Sequence, residues 1–236
     1  MKNYIFKFFV SLGFILLGLS LFLLYSKVAN QSPTYFKDKV KDNIFAIVEV
    51  SSGIVATGFI LKGPDESFFV TAGHVCRKID ENPHKYFLFN RNIMRIIEQK
   101  SNIISTTSDV CLMKAPFQTT QGFYMQNPEL PEAQDAWIVG FPFGQPLTAT
   151  FGSIVGKMVF LVGDAKVVMS ISGIATNIPI APGSSGSPIL DADGDVVSIA
   201  IALNQNIPAG FSMGIDKTNF ISELNQLINI QTSLNK

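Results

Sequence analysis

"PGSSGSPIL", Pro182 to Leu190, sets two serines among glycines and a proline before the chain turns apolar. Gly and Ser accept turn geometries that bulkier residues resist, so the stretch reads at the least as a tight bend. Such a bend can also hold one hydroxyl clear of the backbone for reaction. A serine hydroxyl is a weak nucleophile, however, and needs a base together with a third group that orients the base. The rest of the chain has to supply both.

Only two histidines exist, His74 and His84, and both precede the serines. That order excludes an α/β-hydrolase, which runs Ser, acid, His. The local sequence also departs from G-x-S-x-G, because Ser187 takes the last position. His74 stands in "VTAGHVC", where small residues allow a tight turn that aims the ring into a cleft. His84, in "ENPHKY", reads as a solvated loop residue. "SDVCLMKA" places Asp109 at the start of an apolar strand, where an acid is costly without a partner. A histidine N–H is one such partner, and the bond would fix the ring tautomer. The plain alternatives are a core histidine at position 74 and a surface acid at position 109.

"TAGHV", "SDVCLM" and "PGSSGSP", in that order, resemble the motifs of trypsin-like serine peptidases, most closely the HtrA/Deg protease domain. The resemblance covers roughly residues 43–215. It implies an all-β fold of two packed six-stranded β-barrels with the site in the cleft between them. Carried over by position, Ser185 is the nucleophile, His74 the general base and Asp109 the group that holds the imidazole. Ser184 is the less apt nucleophile, since the two-residue offset from Gly183 selects Ser185. The backbone N–H groups of Gly183 and Ser185 would form the oxyanion hole. Ser184 stands where zymogen-type relatives carry an aspartate, so activation through that ion pair is not expected. Nor is a C-terminal PDZ domain. The resemblance also implies a pocket formed by Pro179, Ile180, Ala202, Leu203 and Phe211, which offers no acid for Lys or Arg and suits a small-to-medium apolar residue.

Cys76 and Cys111 each follow His74 and Asp109 by two residues. If those two residues meet, the cysteines come close, either as a disulfide or as two buried thiols. A bridge would indicate an oxidising compartment. Two cysteines near one histidine make no convincing zinc site. "DADGD", Asp191 to Asp195, opens like a calcium loop, but the twelfth position is Ala202, so a hairpin turn on Asp-Gly is the better reading. No metal or other cofactor is implied.

The bulk numbers bound the partners. The chain has 236 residues, 47% hydrophobic, with 18 basic and 18 acidic side chains. Zero net charge and the lack of a basic stripe exclude nucleic acid as a natural partner. The implied partner is a protein or peptide substrate. "FFVSLGFILLGLSLFLLY", Phe8 to Tyr25, carries no charge and is apolar all round, which argues for a membrane span over a core helix. It is longer than a usual signal h-region and ends without a good cleavage site, so residues 1–25 read as an uncleaved anchor, with a cleaved signal peptide as the alternative. The expected location is membrane-anchored with the peptidase domain outside the cytoplasm, or secreted if the segment is cleaved. Residues 26–42 read as a stalk and 43–236 as the peptidase domain, with the first barrel about 43–118 and the second about 132–215. Short runs rich in Val, Ile and Phe, punctuated by Gly, Pro, Asn and Asp, support the β-class. One late stretch, 218–229, has 3–4 spacing and reads as a closing helix.

Overall fold

The structure is a computed structural model that describes residues 40–62, 67–91, 94–97, 103–104, 109–115, 122–123, 134–163, 168–201 and 212–215, with Ser20, Ser222, Asn225, Gln226 and Asn229 besides. The anchor segment (Ser20 apart), most of the stalk, and Ala202, Leu203 and Phe211 lie outside the described residues. The closing helix is described at four positions, Ser222, Asn225, Gln226 and Asn229, all helical. Among the described residues, no helix is long and apolar enough to cross a membrane.

Seven strands form the first sheet: β1 (Ile44–Glu49), β2 (Gly53–Lys62), β3 (Ser67–Ala72), β4 (Tyr86–Phe89), β5 (Met94–Ile96), β6 (Ile103–Ile104) and β7 (Val110–Lys114), in the order β5-β4-β1-β2-β3-β7-β6. Helix α1 (Gly73–Glu81) follows β3. Six more strands close a barrel: β8 (Asp135–Gly140), β9 (Thr148–Gly163), β10 (Val168–Thr176), β11 (Pro188–Leu190), β12 (Val196–Ile201) and β13 (Ser212–Ile215).

The second unit is thus the expected six-stranded barrel. The first unit is a seven-stranded antiparallel sheet whose end strands, β5 and β6, are not paired with each other among the described residues, and it is consistent with the expected double-barrel fold. From β1 the sheet runs one way through β4 to β5 and the other way through β2, β3 and β7 to β6.

Strands β1, β2, β3 and β7 read as near-continuous apolar runs because both faces of their sheet are covered. Alternate side chains divide between two cores. Ile44, Ala46, Phe59, Phe68, Val70, Val110 and Leu112 join Trp137, Val139, Leu190 and Ile199 of the barrel in one cluster between the units. Their neighbours Phe45, Ile47, Ile60, Phe69, Cys111 and Met113 pack on the other face with Val75, Cys76 and Ile79 of α1. The period-2 alternation therefore fixes which face of the first sheet meets the barrel, and a one-residue slip would exchange the two cores.

Candidate active site

Helix α1 begins with a local defect. Its cap residue, Ala72, offers no side-chain hydrogen bond, yet the first N–H groups of any helix need acceptors. Asp109 supplies them from the loop before β7. Its carbonyl accepts from Gly73 N–H at 2.8 Å, and its Oδ1 accepts from His74 N–H at 2.7 Å. A carboxylate is favoured here by the helix dipole as well. The second oxygen, Oδ2, lies 2.5 Å from His74 Nδ1. Arg77, one turn along the helix, donates to Oδ1 at 3.1 Å. The Asp109 side chain is 9% exposed and that of His74 29%. Asp109 is therefore partnered on both oxygens, and the surface-acid alternative fails.

Burial on its own would raise the Asp109 carboxyl. The His74 side-chain hydrogen bond and charge, the His74 backbone N–H and the Arg77 guanidinium outweigh burial and hold it below the ordinary carboxylate value. The group is then ionised near neutral pH and can only accept, so His74 Nδ1 carries the proton and donates.

A depressed carboxyl also links folding to pH. Its contribution is complete above the unfolded value of about 3.9 and is lost as pH falls through the lower folded value. The Tm deficit of Asp109→Asn relative to the parent protein should therefore narrow as pH drops below about 4. A deficit that stays constant from neutral pH to pH 3 in a thermal melt would contradict this.

The serine loop is held by non-local contacts. Gly183 (φ +95°) and Gly186 (φ +85°) adopt the left-handed region, which glycine reaches at least cost. A side chain at Gly183 would run into the Phe141 carbonyl, and one at Gly186 into the Thr57 carbonyl and Thr71 hydroxyl. The loop is thus seated directly on β2 and β3, beside the start of α1. Ser185 and His74 are brought to neighbouring elements this way, although no hydrogen bond joins their side chains among the described residues.

Within the loop, N–H groups alternate between satisfied and unsatisfied. Ser184 N–H donates to Ala181 O at 2.9 Å, Gly186 N–H to Ala200 O at 2.8 Å and Ser187 N–H to Ser184 O at 3.0 Å. Among the described residues, those of Gly183 and Ser185 donate to no protein acceptor. The two serines also differ. Ser184 is 3% exposed and its hydroxyl accepts from Ala181 N–H at 3.3 Å, whereas Ser185 is half-buried and open to approach.

Cys76 and Cys111 form a disulfide with Cα atoms 6.3 Å apart, tying α1 to β7. His84 is exposed. Of the described pocket residues, Pro179 is exposed and Ile180 half-buried against the barrel core. Asp191 belongs to the hairpin turn, where its Oδ1 accepts from Asp193 and Asp195 N–H, each at 3.0 Å.

Two participants escape a sequence reading. Arg77 could have been noticed from its i, i+3 spacing to His74 once α1 was recognised. Thr57, buried on β2, donates its N–H to Ser185 O at 2.9 Å, and nothing local in "IVATGFIL" signals that.

The family described as trypsin-like peptidase domain matches residues 56–199. A curated relative from Halomonas elongata, a probable periplasmic serine endoprotease described as DegP-like, is 27% identical over 146 residues, which is 61% of this chain and 28% of that protein. The chain therefore spans little more than a quarter of that relative's length. Among solved structures, an inactive form of Rv3671c from M. tuberculosis superposes with a TM-score of 0.65 at 14% identity, covering 83% of this chain and 91% of that one. The HtrA-type protease AlgW with a tripeptide gives 0.64 at 16% identity, covering 84% and 64%. At such identities these likenesses speak for the fold. The matched family segment spans His74, Asp109 and Ser185 and more than half of the chain, and on that match the protein belongs to the trypsin-like peptidases.

Proposed function

We propose that the protein is a serine endopeptidase in which His74, Asp109 and Ser185 act as one unit. In this reading His74 Nε2 takes the Ser185 proton as Oγ attacks the scissile carbonyl. The tetrahedral intermediate places its oxyanion on the Gly183 and Ser185 N–H groups. As the C–N bond breaks, the imidazolium returns the proton to the leaving amine, and water then hydrolyses the acyl-enzyme with His74 again as base. Asp109 stays ionised throughout and stabilises the imidazolium. The observation that carries the reading is the pair of N–H groups, of Gly183 and Ser185, without an acceptor among the described residues, on a loop whose Gly186 packs against Thr71 and Ala72 just before His74. Donors aimed at developing charge are the largest single contribution in sites of this kind.

The pocket before the cut, lined by Pro179, Ile180, Ala202, Leu203 and Phe211, would favour a small-to-medium apolar residue. The domain would act outside the cytoplasm, tethered through Phe8–Tyr25. The Cys76–Cys111 bridge supports an oxidising compartment, as does the periplasmic description of the Halomonas relative.

Fluorophosphonate labelling of the full chain in detergent tests the reading. The parent protein should be labelled, with the adduct on Ser185 by peptide mapping, and Ser185→Ala should not. An unlabelled but folded parent protein would instead favour a barrel that binds extended peptides by strand addition without cutting them.

A further inference from the structure

Thr57 makes more contacts with the serine loop than its place in β2 requires. It is fully buried. Its hydroxyl accepts from Phe141 N–H at 3.1 Å, and a hydroxyl has one proton to give. That proton goes to Gly183 O at 2.7 Å. Its backbone N–H donates to Ser185 O at 2.9 Å. Its carbonyl accepts from the Thr71 hydroxyl at 2.7 Å, three residues before His74. One residue therefore joins β2, the end of β8, the strand that leads to His74, and the carbonyls of both residues whose N–H groups are unsatisfied.

We propose that the Thr57 hydroxyl is a positioning group for the oxyanion hole, fixing the rotation of Gly183. The inference rests on the reading of Ser185 as nucleophile. Glycine at φ +95° has few steric limits of its own, so its peptide planes turn easily unless something outside holds them. The Pro182–Gly183 plane is held by Phe143 N–H on Pro182 O at 2.6 Å. Because a peptide is planar and trans, pinning that oxygen aims the Gly183 N–H to the opposite side. The following plane, Gly183–Ser184, is held on its amide side by Ser184 N–H on Ala181 O and on its carbonyl side by Thr57 on Gly183 O. Only with both planes fixed are the dihedrals of Gly183 defined, and with them the position of the Ser185 N–H relative to its own.

Removing the hydroxyl leaves Gly183 O without its donor and Phe141 N–H without its acceptor, both in a buried setting. The Gly183–Ser184 plane then keeps only its Ser184 N–H bond to Ala181 O, so the ψ of Gly183 is no longer fixed from the carbonyl side and the Ser185 donor shifts relative to the Gly183 N–H that Phe143 still pins. Nothing in this chain of contacts touches the substrate. Thr57 acts through Gly183 alone.

The test compares Thr57→Val, Thr57→Ser and the parent protein as full chains in detergent, using a fluorophosphonate probe whose phosphonyl oxygen must sit where the oxyanion forms. The limiting labelling rate of Thr57→Val should fall by about 10²-fold, the scale of losing one donor. The half-saturating probe concentration should stay within about threefold. Thr57→Ser, which keeps the hydroxyl, should stay within about threefold of the parent protein in both. A loss of fold would raise the half-saturating concentration too, so the split separates positioning from damage. If Thr57→Val does not fold, Thr57→Ala carries the same comparison. Equal limiting rates for the parent protein and the folded hydroxyl-less variant, with labelling confirmed at Ser185, would overturn the positioning role alone. Labelling that survives Ser185→Ala would overturn the nucleophile assignment, and the Thr57 role with it.

Discussion

Replacing Ser185 or His74 by alanine is expected to lower kcat by about 10⁶, and replacing both should lower it little further. In the proposed mechanism the two act in a single event: a hydroxyl without its base and a base without its hydroxyl are equally idle. What remains, about 10³–10⁴ over the uncatalysed reaction, would come from the oxyanion donors and substrate binding. Asp109→Asn should cost less, about 10⁴, and the surroundings of this carboxylate say why it should cost so much for one atom. Its Oδ1 faces two donors, His74 N–H at 2.7 Å and Arg77 at 3.1 Å. An asparagine must turn its amide oxygen toward them, because the NH₂ group there would face donor against donor. The NH₂ is then left facing His74 Nδ1, where it can only donate. The proton moves to Nε2, and no lone pair remains to take the Ser185 proton. Turnover of a peptide anilide by the four variants would check this. Additive losses in the double variant, or an Asp109→Asn variant as active as the parent protein, would contradict it.

Most of the strands were legible, for a reason the cores make plain. Runs such as Phe68–Ala72 and Val110–Met113 are apolar on both sides because the first sheet is covered on both faces. What escaped was structure stabilised from a distance. Helix α1 has no local N-cap signal, since Ala72 cannot cap and the missing acceptors come from Asp109, 35 residues on. Strand β9 is sixteen residues long, but Gly152 and Gly156 interrupt its β-propensity. Its Phe151, Val155, Met158 and Val159 are exposed, so no in–out alternation marks it. The strands β4 and β5 are only four and three residues long, too short to show a period. At the candidate site, the pairing of His74 with Asp109 was readable because an acid at the start of a buried strand calls for such a partner. Thr57 was not, because any β-branched residue satisfies the strand and only the facing carbonyl of Gly183 calls for a hydroxyl.

Removing the Cys76–Cys111 bridge by a double alanine substitution is expected to cost about 4 kcal/mol, the chain-entropy value for cysteines 35 residues apart. For a folded unit of this size that is a fall in Tm of roughly 8–16 °C. Turnover well below the new Tm should change far less. The bridge ties α1 to β7 just beyond the point where Asp109 already accepts from Gly73 N–H, His74 N–H and His74 Nδ1. Those three bonds place the imidazole without help from sulfur. What the bridge adds is closure of the loop between α1 and β7 in the unfolded chain. That loop contains β4, β5 and β6, of which β5 and β6 are the end strands of the sheet. Those two end strands each have one paired neighbour among the described residues. Calorimetry and kcat on the same variant separate the two effects. An unchanged Tm would deny the bridge its stabilising role. A kcat that collapses at 25 °C while the Tm stays above 40 °C would instead mean that sulfur, rather than the Asp109 cap, keeps His74 in place.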